Sequence, residues 1–78
     1  MLRISIKSRE KIYFEGEASV VSSVNETGAF DVLSEHANFI TLINGKVSVI
    51  KIDGSKEDFS VGKGVLRVAS DFVNIFVH

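Results

Sequence analysis

Apolar and polar residues alternate with a period of two along almost the whole chain. That pattern constrains the fold most, because strands send successive side chains to opposite faces whereas helices repeat near 3.6. Leu2, Ile4 and Ile6 interleave with Arg3, Ser5 and Lys7. Ile12 and Phe14 flank Tyr13, and Ala18 and Val20 alternate with Glu17 and Ser19 on the way to Val24. Further strand-like runs are Phe30–Leu33, Phe39–Ile43, Lys46–Ile52, Glu57–Val61, Val65–Ala69 and Phe72–Val77. Between them stand Glu15-Gly16, Asn25-Glu26-Thr27-Gly28, Asn44-Gly45, Asp53-Gly54, Gly62-Lys63-Gly64 and Ser70-Asp71, each read as a turn. Asn44-Gly45 and Asp53-Gly54 are the strongest of these signals, since a type I′ hairpin needs positive φ at both central positions. The pattern predicts an all-β chain of about ten short strands in a sandwich or barrel. Residues 1–78 are expected to form one domain. Only Ser34–Leu42 has any helical look, and one turn of 3₁₀ around Ser34–Ala37 is expected there.

Some runs are apolar on both faces. In the last one Val73, Ile75 and Val77 point one way while Phe72 and Phe76 point the other. Val47 and Val49 likewise oppose Ile50 and Ile52. A register-shifting bulge explains such a run, and so does a partner covering the outer face; the bulge is the preferred expectation, since single exposed apolar residues are common.

The 45% hydrophobic fraction is too high for a disordered chain. There are no cysteines, so disulfides and thiolate zinc sites are excluded. Nine basic residues balance ten acidic ones for a net charge of −1. No basic stripe stands ready to neutralise several phosphates, so no nucleic-acid partner is expected. No apolar run approaches the roughly 20 residues of a spanning helix, and the alternating Met1–Ile6 opening is not a signal-peptide core. Direct membrane insertion is therefore not expected.

Catalytic constellations are missing. His36 and His78 are the two histidines, too few for a convergent metal site. No G-x-S-x-G elbow is present, and Gly62-Lys63-Gly64 lacks the spacing of a phosphate-binding loop. The expectation is no catalytic residue, no metal, no cofactor and no small-molecule substrate. On the residues alone, His36 reads as a water-satisfied loop histidine and Phe30 and Phe39 as core residues at one end of the sandwich. Stacking of bases on these aromatics is weakly supported, because they lack Lys or Arg neighbours.

One segment says more. Gly28-Ala29-Phe30-Asp31-Val32-Leu33-Ser34-Glu35-His36-Ala37-Asn38-Phe39-Ile40 resembles the signature loop of the epsilon subunit of F-type ATP synthases, G-x-F/L-G-V-L-P-G-H-A-P-L-I. The likeness runs over nearly the whole chain. Ile4–Ala18 is similar to the family's V-x-I-V-T-P-E-x-x-L-Y-E-G-E-V opening, Val61–Val68 to V-S-G-G-F-L-E-V, and Phe72–Val77 to the final x-V-T-V-L-A strand. The resemblance implies a ten-stranded β-sandwich that clamps the foot of the gamma stalk to the ring of membrane c subunits, transmits torque and performs no chemistry. It also implies a peripheral position on the cytoplasmic face of the bacterial inner membrane. Carried over by position, Gly28, Phe30, Val32, Leu33, His36 and Ala37 match the contact loop, with His36 as its hydrogen-bonding tip.

Several positions depart from that pattern. The family's frequent prolines become Arg9, Ser34 and Asn38, and the chain has no proline where average usage of ~5% gives about four. The loop glycines become Asp31 and Glu35, and the often acidic position 29 is Ala29. These changes predict a loop less rigid than the family's, with its negative charge moved to Asp31 and Glu35. The two helices that follow the sandwich in typical members have no counterpart, so a naturally short subunit that couples without inhibiting is expected. The alternative reading is a free-standing β-sandwich binding module of unknown ligand.

Overall fold

Three strands are too long to serve a single sheet, and they dictate the architecture. The computed structural model describes residues 1–78. Its strands are β1 (Leu2–Lys7), β2 (Ile12–Asn25), β3 (Gly28–Val32), β4 (Phe39–Lys51), β5 (Lys56–Ala69) and β6 (Phe72–Val77). They pair in the order β1-β6-β5-β4-β2-β3, and an added β1–β2 pairing closes the circuit. Only β1 and β6 run parallel; every other neighbour is antiparallel. The first part of β2 pairs with β1 through Ala18, and its second part pairs with β4 and β3. β4 and β5 stay paired from Phe39–Val68 to Ile50–Lys56, with a register shift between Gly45 and Lys46. The result is a barrel-like all-β sandwich whose two layers share continuous strands.

The count of short strands follows from how those long ones bend. Asn44-Gly45 and Gly62-Lys63-Gly64 are not hairpin turns: Gly45 lies opposite Gly62, and both have positive φ (107° and 69°). Paired left-handed residues let two strands fold over together as a bulge, which sequence reads as two turns. Glu15-Gly16 is likewise no turn but continuous β2, paired to β1 through Ser5–Glu15 and Ile4–Gly16. Asp53-Gly54 does turn the chain, with Gly54 at φ 89° and Asp53 outside the positive-φ set. There the Asp53 carboxylate accepts from Ser55 N–H at 2.9 Å and from its hydroxyl at 2.7 Å. The two-residue turn with both central φ positive occurs instead at Ser70-Asp71 (50° and 64°).

Fourteen buried apolar residues form one core, led by Leu2, Ile4, Ile6, Leu66 and Ile75. Burying each such side chain contributes ~1.5–3 kcal/mol. The two buried polar residues are both partnered: Ser23 Oγ donates to Lys46 O at 2.9 Å and Ser48 Oγ to Asp58 Oδ1 at 2.7 Å. In β6, Val73, Ile75 and Val77 are buried while Phe72 and Phe76 are exposed. Its pairing to β1 and β5 is unbroken. The bulge expected there is absent, and the apolar residues do occupy the outer face.

Candidate functional site

The loop between β3 and β4 starts from a fixed anchor. Val32, the last residue of β3, is fully buried, so it holds the loop from below and offers no surface. His36 N–H donates to Leu33 O at 3.2 Å, and Glu35 takes φ 65°. A 3₁₀ turn requires negative φ throughout, so the expected 3₁₀ geometry gives way to a tight turn with one left-handed residue. The next ties are long-range. Glu35 N–H donates to Asp71 Oδ1 at 2.7 Å, and Ser70 N–H donates to Asn38 Oδ1 at 3.1 Å. Asp71 O in turn accepts from Arg3 N–H at 2.9 Å, which seats the β5–β6 hairpin tip against β1.

An aromatic line runs beneath the tip. The His36 ring lies 4.9 Å from that of Phe39, tilted by 40°. Phe39 meets Phe30 edge-on, with centroids 6.0 Å apart and planes at 78°. Both phenylalanines are half-buried and pack against the core, which accounts for the reading of them as core residues. The Nδ1–H of His36 donates to Ala37 O at 2.7 Å. Because a carbonyl only accepts, the proton of that bond sits on Nδ1.

Gly28, Asp31, Leu33, Glu35, His36 and Ala37 are exposed, and Phe30 is half-exposed. Asp31 accepts from Ser22 Oγ at 2.6 Å, its cross-strand partner, so its carboxylate is held at the β3 surface. Perturbed titrations lie elsewhere, on exposed groups of β4, β5 and their connection. The Ser48 hydroxyl holds the Asp58 carboxyl below its ordinary range, and Ser55 does the same for Asp53. Glu57, hydrogen-bonded at 2.8 Å, raises Lys51. No three His, Cys, Asp or Glu side chains converge as a metal site.

Beside the loop, the outer face of β4, β5 and β6 carries exposed apolar residues among polar ones such as Arg67 and Asn74. Leu42 pairs with Val65 and Val65 with Phe76, placing three apolar side chains in one cross-strand row. Ile40 and Leu42 keep 67% and 73% of their surface exposed, too much for core residues. An open groove of about 610 Å³ flanks them, lined by Val24, Glu26, Ile40, Leu42 and Lys63 among others.

The chain belongs to the ATP synthase delta/epsilon chain family: the model described as "ATP synthase, Delta/Epsilon chain, beta-sandwich domain" matches residues 1–78. It is 39% identical over 77 residues to the ATP synthase epsilon chain of Xanthomonas oryzae pv. oryzae (strain PXO99A), covering 97% of this chain and 55% of that one. The epsilon chain of Xanthomonas campestris pv. campestris (strain B100) is 35% identical with the same coverage. The chain thus spans about half the length of the relatives it matches. Among solved structures, the fold is similar to a chain of the Euglena gracilis mitochondrial ATP synthase OSCP/F1/c-ring, at TM-score 0.90 and 16% identity, over 97% of this chain and 49% of that one. A chain of the Tetrahymena thermophila mitochondrial ATP synthase central stalk/c-ring aligns at TM-score 0.76 and 13% identity, with coverages of 97% and 62%.

Asp71, Asn38 and Phe39 are the site residues that the motif did not reveal. Asn38 and Phe39 lie inside the quoted loop, yet their roles depend on Ser70 and Phe30, 32 and nine positions away. The signal available in advance was the pair of polar turn residues Ser70-Asp71 standing where glycine is favoured.

Proposed function

We propose that this chain is the sandwich portion of a central-stalk subunit of a proton-translocating F-type ATP synthase. In this reading it joins the gamma stalk to the c-ring and passes rotation between them, and it catalyses nothing itself. Its place is peripheral, at the cytoplasmic face of the bacterial inner membrane. The observation that carries the reading is the presence of two surfaces along one strand: the polar tip Leu33–Ala37 precedes β4, and the exposed apolar row Leu42–Val65–Phe76 lies farther along it, beyond the row Ile40–Arg67–Asn74. A wet, hydrogen-bonding tip suits the polar loops of a ring, and an exposed apolar sheet face suits permanent burial against a stalk. Gly28, Phe30, Asp31, Leu33, Glu35, His36 and Ala37 are assigned to the tip, with Val32 as its buried anchor.

Co-purification with the matching gamma subunit and c-ring tests this. Leu42→Asp with Phe76→Asp is expected to abolish stalk binding, because burial of that row becomes burial of unpaired charge. Asp31→Lys with Glu35→Lys is expected to loosen the ring while leaving the stalk complex intact. Wild-type retention of both partners by the doubly apolar-to-acid variant refutes the assignment of the face. Equal ring binding by the charge-reversed variant refutes the assignment of the tip.

A further inference from the structure

Every non-glycine residue with positive φ in this chain lies at one junction: Glu35 in the β3–β4 loop, and Ser70 and Asp71 at the β5–β6 tip. Side chains disfavour the left-handed region, so three such residues in mutual contact require surroundings that hold them there. The contacts are specific. The Asp71 carboxylate accepts the Glu35 N–H at 2.7 Å, a short charge-assisted bond. Asn38 Oδ1 accepts the Ser70 N–H at 3.1 Å in the opposite direction. Arg3 N–H fixes the Asp71 carbonyl at 2.9 Å, so the carboxylate hangs from a framework strand.

We infer that the Ser70-Asp71 hairpin tip is a latch, with Asp71 and Asn38 as positioning residues that set how Glu35 and His36 are presented. Holding the Glu35 N–H fixes the peptide plane between Ser34 and Glu35. That plane decides whether the turn closes onto Leu33 O and places the His36 ring over Phe39. A loop with no proline and with Glu35 in a left-handed conformation lacks rigidity of its own, and the two reciprocal bonds supply it from across the molecule. The consequence for attachment rests on the reading of this loop as a docking tip; the latch itself does not.

Two variants of the 78-residue chain separate the parts. Asp71→Gly keeps a residue suited to φ 64° while deleting the acceptor, and Asp71→Asn keeps an oxygen in place. Amide hydrogen exchange followed by NMR is expected to speed about tenfold at Glu35 in Asp71→Gly, the loss of one hydrogen bond. Exchange at core positions such as Val68 and Ile75 should hold, and Asp71→Asn should fall near wild type. Asn38→Ala should speed exchange at Ser70 instead. Unchanged exchange at Glu35 in Asp71→Gly overturns the latch. The same variant should bind the c-ring more weakly; faster exchange with undiminished binding overturns the presenting role. If the wild-type chain binds no ring at all, the docking reading fails while exchange still decides the latch.

Discussion

Two glycines two residues apart should respond to substitution for opposite reasons. A Cβ placed on Gly64 would lie 2.8 Å from Phe76 O, 3.1 Å from Val77 Cγ1 and 3.3 Å from Val77 Cα. The nearest atom is backbone, and Gly64 pairs with Val77 itself, so relief requires pulling β6 away from β5. Overpacking of this kind costs ~1–3 kcal/mol. A domain of this size without staples holds only ~3–5 kcal/mol, so Gly64→Ala should remove a large part of it. At ~4–8 °C per kcal/mol the midpoint should fall by roughly 5–20 °C. Gly62 has no atom within 4 Å of such a Cβ but sits at φ 69°. Its cost is conformational, so Gly62→Asn should be nearly neutral and Gly62→Ala should lose ~1 kcal/mol. Urea and thermal unfolding of the three variants measure the ranking. If Gly62-Lys63-Gly64 were a free turn, Gly64→Ala would gain ~0.4–1 kcal/mol by restricting the unfolded chain. Stability equal to or above wild type for Gly64→Ala refutes the close β5–β6 approach.

Three further outcomes are expected. Ile75→Ala opens a cavity in the fully packed centre and should cost ~2–5 kcal/mol, leaving the chain largely unfolded at 37 °C by circular dichroism. Ser48→Ala removes the largest cause of the lowered Asp58 pKa, so an NMR titration should show that carboxyl rising toward its ordinary 3.8. A carboxyl whose pKa is lowered by folding contributes stability above the unfolded value and loses it as pH falls. Wild type should therefore lose this contribution below pH 3.8, and the variant should lose less over the same range. Glu35→Gly relieves φ 65° at the loop, and after the entropy of glycine is subtracted a gain of ~0.5 kcal/mol should appear as a slightly higher midpoint.

Alternation alone carried the all-β class and placed most strand residues, because each side of a strand needs its own chemistry. It also separated the two faces of β6, of which the structure buries Val73, Ile75 and Val77. What it misread were the glycines. Gly45 and Gly62 carry the same local preference whether they end a strand or bend it, and their role was decided by each other across the β4–β5 ladder. Ser70-Asp71 shows the converse, since a turn with two left-handed residues formed where neither is glycine. The loop was legible as a pattern of residues, including His36 and its neighbours. Its geometry was not, because Glu35 takes its conformation from a carboxylate 36 positions away. The apolar residues outside β6 were noticed in the sequence, but only the unbroken pairing of β6 distinguished a bare sheet face from a bulge.

The passage of β2, β4 and β5 through both layers has a mechanical corollary. Neither layer can slip past its neighbour without tearing backbone ladders on several strands together. A load applied at the Leu33–Asn38 end therefore reaches the opposite side as displacement of the entire block, with no soft seam to dissipate it.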